Sequence, residues 1–107
     1  MYKGTTPTYT FIAPESVDLT DATKIWVTFS TMDEKELFSK ESGEIVLADA
    51  QTIEVYLTQE ETLKFPTGSV KAQINWIYLE GAKTKRACSE KMIINAKTNL
   101  KDVVLNE

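Results

Sequence analysis

The chain contains no histidine and one cysteine, Cys88, among its 107 residues, and this limits the chemistry it can perform. Serine and cysteine nucleophiles usually borrow a histidine base, so Ser-His-Asp and Cys-His constellations are excluded. Ser-Lys and threonine variants need no histidine, but no spacing singles one out. Zinc prefers Cys and His ligands, and Cys88 alone cannot supply a set. Asp33, Glu34 and Glu36 are of the type that ligates calcium, yet they lack the EF-hand loop pattern and read as a solvated acidic turn. Glycoside hydrolysis needs two carboxyls about 5–10 Å apart, a condition that sixteen acids meet too easily to be informative. Gly4, Gly43, Gly68 and Gly81 are isolated at expected turns, so no phosphate-cradling loop is formed. No catalytic residue, cofactor or metal is expected.

Recognition by surface remains. Trp26, Tyr56 and Tyr78 could stack on sugars if they lie on an open sheet face. Trp76 shares its phase with Val70 and Ile74 and is assigned to the core. Trp26 opposes the face formed by Ile25, Val27 and Phe29, so it either fills a second layer or lies at an interface, where tryptophan is over-represented.

Charge adds a second kind of information. The net charge of −4 argues against general nucleic-acid binding, which needs Lys and Arg set against phosphate. Its distribution is uneven. Between Met32 and Thr62 the acids Asp33, Glu34, Glu36, Glu41, Glu44, Asp49, Glu54, Glu60 and Glu61 outnumber Lys35 and Lys40. Between Leu63 and Lys101 the bases Lys64, Lys71, Lys83, Lys85, Arg86, Lys91, Lys97 and Lys101 outnumber Glu80 and Glu90. Cross-strand pairing would account for this at ~0.2–1 kcal/mol per pair. A polarised surface that steers a second copy or a partner into register is the sharper alternative.

The elements that position these groups follow from a two-residue period. Val70, Ala72, Ile74, Trp76 and Tyr78 alternate with polar residues from Ser69 to Leu79, which predicts a long strand with one buried face. Tyr9 and Phe11 alternate with threonines from Thr8 to Ala13, and Pro7 stands at the strand start, where a missing N–H is tolerated. A loop follows from Pro14 to Thr23. Lys24 to Ser30 is the next strand, rich in β-branched and aromatic residues. Residues 32–35 make a hairpin connection to a shorter strand near Glu36 to Lys40, and Ser42-Gly43 turns the chain again. Ile45-Val46-Leu47 is a brief apolar run, and Thr52 to Leu57 is a strand with Ile53, Val55 and Leu57 inward.

Thr58-Gln59-Glu60-Glu61 fits a capping box and predicts one or two helical turns near 59–64. After the Glu80-Gly81-Ala82 reversal, one long strand is expected from Lys83 to Ala96. Cys88 is expected to pack as a small hydrophobe, and residues 97–107 to add a short edge strand or dock as an arm. The sum is an all-β chain, an antiparallel immunoglobulin-like β-sandwich of six to eight strands, folded as a single domain over residues 1–107. A small barrel is the alternative, because alternation does not show whether a sheet closes. Hydrophobic content of 42% and charged content of 26% fit a soluble globular domain that needs no staple. No apolar leader and no run of about 20 apolar residues occurs, so a soluble, cytoplasmic product without membrane contact is expected.

Three stretches together resemble a family of small proteins encoded by phages and prophages of Gram-positive bacteria. They are Tyr2-Lys3-Gly4-Thr5-Thr6-Pro7-Thr8 with Phe11 beyond it, Asp18-Leu19-Thr20 leading into Ile25-Trp26-Val27-Thr28-Phe29, and Leu57-Thr58-Gln59-Glu60-Glu61-Thr62-Leu63-Lys64-Phe65. The chain is similar to the N-terminal β-sandwich module of upper-baseplate proteins in phage tails. The resemblance implies a virion or tail-associated structural role, with other phage structural proteins or further copies of the chain as partners. It does not extend to the stalk and receptor-binding regions that follow in full baseplate proteins. Under this resemblance, Gly4, Thr5, Thr6 and Pro7 either form an extended arm that adds to a neighbouring subunit's sheet edge or simply lead into an ordinary first strand. The leading expectation is a non-enzymatic structural or assembly protein, present in the host cytoplasm during assembly. A carbohydrate- or host-surface-binding module using Trp26 is the alternative.

Overall fold

The computed structural model describes residues 1–106; Glu107, at the end of the expected tail, lies outside the described residues. Eight strands form two antiparallel sheets: β1 (Thr8–Ile12), β2 (Ala22–Ser30), β3 (Glu36–Glu41), β4 (Ile45–Leu47), β5 (Thr52–Tyr56), β6 (Gly68–Glu80), β7 (Lys83–Cys88) and β8 (Met92–Ala96). The small sheet runs β1-β5-β4. The large one runs β3-β2-β6-β7, with β8 also paired to β6. The shortest molecular dimension is 21 Å, which is that of two layers about 10 Å apart with their outer side chains. The all-β sandwich predicted from alternation is therefore the fold.

Alternation places the core between the sheets. Val27, Phe29, Ile53, Val55, Leu57, Val70 and Ala72 are fully buried there, and Trp76 joins them. Phe29, Phe38 and Phe65 stack with ring centroids 5.0, 5.6 and 5.7 Å apart. This trio ties β2 and β3 to the segment that enters β6.

That segment begins with α1 (Gln59–Leu63), whose expected capping box is formed. Glu61 N–H donates to Thr58 Oγ1 at 3.2 Å, and Thr58 N–H donates to Glu61 Oε1 at 2.8 Å. The helix also anchors the N-terminus. Thr62 is fully buried; its Oγ1 accepts from Gly4 N–H and donates to the Thr5 carbonyl, both at 2.9 Å. Thr62→Val should cost about 1 kcal/mol, because a part-buried N–H and a carbonyl each lose their partner at constant volume. Faster hydrogen exchange at the Gly4 amide, with β6 unchanged, is the expected readout.

Two expectations for the end of the chain need correction. The single strand from Lys83 to Ala96 is broken into β7 and β8. Pairing to β6 jumps from Asn75–Cys88 to Ala72–Met92, so residues 89–91 face two residues of β6, which is a bulge. Ser89 satisfies the interrupted backbone: its N–H donates to the Ile74 carbonyl at 2.9 Å and its Oγ accepts from Ile74 N–H at 3.0 Å. The extra residue reverses the phase, so Ala87 faces the core before it and Ile94 and Ala96 after it. Cys88 is the second correction. It is exposed, because its neighbour Ala87 takes the inward phase.

The tail forms no strand among the described residues and docks instead. Gln59 exchanges two hydrogen bonds with the Leu105 backbone, at 2.8 and 3.1 Å, and Lys3 lies 3.4 Å from Asp102.

Candidate interaction surfaces

Thr5, Thr6 and Pro7 do not extend as a free arm. The Thr5 carbonyl is held by Thr62, and the Pro7 carbonyl accepts from Leu57 N–H at 3.0 Å. Thr5 Oγ1 donates to the Tyr2 carbonyl at 2.6 Å. The preceding residues run beside β8: Lys97 N–H donates to the Met1 carbonyl at 2.8 Å and Lys3 N–H to the Lys97 carbonyl at 2.9 Å. The segment is thus tied to its own chain at Met1, Lys3, Gly4, Thr5 and Pro7. Thr5 and Thr6 are exposed.

Trp26 lies elsewhere, on the outer face of the large sheet, half-buried. Its register neighbours are Glu41 on β3 and Asn75 on β6. Lys24 Nζ sits 5.0 Å from the ring centroid, within cation–π range. Arg86 donates through Nε and Nη2 to Asn75 Oδ1 at 3.3 and 3.0 Å, and the Thr28 and Ser39 hydroxyls meet at 2.7 Å. A shallow, open depression of about 380 Å³ runs past Trp26, Glu41, Asn75 and Arg86. A second, of about 260 Å³, lies beside it along Ser30, Gln73 and Lys91.

Electrostatics orders the rim of this face. Glu34 stands in the β2–β3 connection with a left-handed backbone, φ 68°, and its carboxylate receives Lys91 at 2.7 Å and Lys71 at 3.2 Å. Hydrogen bonds from those two ammonium groups, with their charges, hold the Glu34 carboxyl below its ordinary range. Charges from the acidic and basic halves of the chain therefore meet across the sheet here. Among the described residues no three Cys, Asp or Glu side chains converge closely enough to hold a metal ion.

The small sheet presents a different outer face. Register places Thr8 beside Tyr56, Glu54 between Thr10 and Val46, and Ile12 beside Thr52. Ile12, Val46 and Tyr56 point to solvent with 76%, 60% and 52% of their surface exposed. Sequence reasoning placed Tyr56 outward but did not single out Ile12 or Val46. The signal was present: each stands one residue out of phase with an inward neighbour, Phe11 and Ile45.

The third feature was not foreseen. Lys40 occupies an inward position of β3 and is buried, with Nζ 2.7 and 2.8 Å from the two Glu61 oxygens. Glu44 adds a longer contact at 3.5 Å. Burial pushes the Glu61 carboxyl up, but hydrogen bonds from Lys40 and the Thr58 N–H outweigh it, and the net shift is downward. No family model, curated protein or solved structure matches the chain. No helix among the described residues is long and apolar enough to cross a membrane.

Proposed function

We propose that this chain is a non-enzymatic structural or assembly protein that acts by packing its sheet surfaces against other proteins. The observation that carries this reading is the outer face of β1-β5-β4, where Ile12, Val46 and Tyr56 stand exposed on a rigid two-layer scaffold. They share that face with Thr10 and Glu54, a mixed apolar and polar composition like that of protein contact surfaces. The likeness of residues 2–8, 18–29 and 57–65 to small phage and prophage proteins supports phage structural proteins, tail or baseplate components among them, as the partners. The test is deletion of the gene from the phage or prophage that encodes it, with mass spectrometry of purified particles. Loss of complete tails, together with the chain in wild-type particles or tail intermediates, is the expected result. Normal infectious particles from the deletion strain, and no chain in any wild-type assembly, would overturn the reading.

A second reading is favoured by Trp26. An aromatic ring flanked by Glu41, Asn75 and Arg86 combines a stacking surface with hydrogen-bonding groups, which is the chemistry of carbohydrate recognition. Under it, the chain binds a bacterial wall glycan and Trp26→Ala weakens binding by roughly tenfold or more, the loss of about 1.4 kcal/mol. A glycan array with no specific signal removes this reading.

A further inference from the structure

The large sheet ends in two edges of opposite charge. At one end is β3, six residues long, with Glu36 and Glu41 exposed. Its own lysine, Lys40, is turned inward and engaged by Glu61, so it does not neutralise that edge. At the other end is β7, also six residues long, with Lys83, Lys85 and Arg86. Among the described residues none of these three bases pairs with a carboxylate of its own chain. Beyond β7 the edge continues as β8, whose far end is engaged by Met1–Lys3 at Asn95 and Lys97. The basic part of this edge is β7.

Strand direction makes the two edges compatible. Each neighbouring pair in β3-β2-β6-β7 is antiparallel, so β3 and β7 run in opposite directions. A second copy in the same orientation therefore brings its β3 antiparallel to the first copy's β7, continuing one sheet across both molecules. Exposed strand edges are templates for such pairing, and edge lysines normally prevent it. Here the lysines repel another β7 edge, and Glu36 and Glu41 repel another β3 edge, while the mixed pairing is attractive.

We propose that the chain self-associates head to tail, β7 of one copy adding to β3 of the next; this rests on the packing role proposed above and names its partner as a second copy. A register that sets Arg86 opposite Glu41, the choice that pairs their charges, also sets Cys88 opposite Ser39, and all four lie on the outer sheet face with Trp26. Glu41 gives up Lys24, a contact of 3.4 Å between side chains that are about half exposed, which is a surface pair of small energy. The contact is heterologous, so successive copies either close into a ring or extend as a filament, according to sheet twist.

Cys88 makes the register testable by cross-linking. In one chain, positions 39 and 88 lie three strand spacings apart across the sheet and two residues apart along it, more than about 14 Å and too far for a disulfide. Mild oxidation of Ser39→Cys should therefore yield a ladder of covalent multimers joined between position 39 and Cys88, reversed by reductant. Adding Arg86→Glu should reduce the ladder by roughly tenfold, and adding Glu41→Arg to that variant should restore it. Circular dichroism matching wild type establishes that each variant folds. Sedimentation of the cysteine-unaltered chain supplies an independent readout: it should show association that weakens with salt and is lost in Lys85→Glu/Arg86→Glu. Cross-links confined to Cys88–Cys88 pairs, a ladder indifferent to charge reversal, or a monomer at high micromolar concentration would each overturn the proposal. A monomer that still enters particles leaves the packing role standing with a different protein as partner. A ladder from a chain absent from every assembly would overturn that role alone.

Discussion

Phe29→Ala is expected to remove a large part of the stability of the domain. Phe29 is fully buried at the centre of the aromatic trio, 5.0 Å from Phe38 and 5.7 Å from Phe65. Truncation deletes the ring and leaves a void beside the Phe38 and Phe65 rings. Such substitutions cost about 3–5 kcal/mol, against a total of about 5–15 kcal/mol for a domain of ordinary stability. The measurement is urea unfolding followed by tryptophan fluorescence, with a lower midpoint and an unchanged slope. A loss of less than about 1 kcal/mol would mean that the sheets are not packed as described. The consequence for function is direct. β2 and β3 carry Trp26 and Glu41, so a protein loosened at Phe29 loses its outer face along with its core.

Breaking the Lys40–Glu61 pair is expected to have the next largest effect, with a pH signature of its own. Lys40 is 6% exposed at its side chain and Glu61 18%. Glu61→Ala leaves the ammonium without its main partner and also removes half of the capping box, so a cost of about 3 kcal/mol is expected. Glu61→Gln keeps the shape and much of the cap, and isolates the charge. Because the folded-state carboxyl titrates below its ordinary value of 4.5, the folded protein binds fewer protons than the unfolded chain between the two values. The stability from this charge is thus complete above the ordinary value and is lost as pH falls through the lowered one. Wild type should therefore exceed Glu61→Gln by a constant margin near neutrality, and the margin should close under acid. Thermal melts across pH 2–7 measure this. A margin that persists at the acid end would show that the carboxylate charge contributes nothing.

That pair also bears on association. An inward lysine on an end strand is one of the ways a sheet edge is kept from indiscriminate pairing. In this chain it also removes the positive charge that would otherwise offset Glu36 and Glu41. Lys40→Met should leave the acidic edge intact and preserve any β7-to-β3 contact, which separates the stability role of Lys40 from the recognition role of its neighbours.

Local pattern alone determined most of the elements. The alternation of Val70, Ala72, Ile74 and Trp76, and of Ile53, Val55 and Leu57, assigns strand and buried face together, because a strand's side chains change sides at every residue. Thr58 and Glu61 announced the helix start for the same reason: both partners of the cap lie within one turn. What the tertiary structure decided were matters of long-range pairing. The Ser89–Lys91 bulge reverses a phase that looks continuous from Lys83 to Ala96, and with it the side on which Cys88 emerges. Lys40 became a core residue only because α1 delivers Glu61 beside it. Pro7 and Thr5 were engaged by Leu57 and Thr62, fifty or more positions away, rather than left free. Which edges of the large sheet stay open, and that their charges oppose, depends on strand order, a property that no window of neighbouring residues contains.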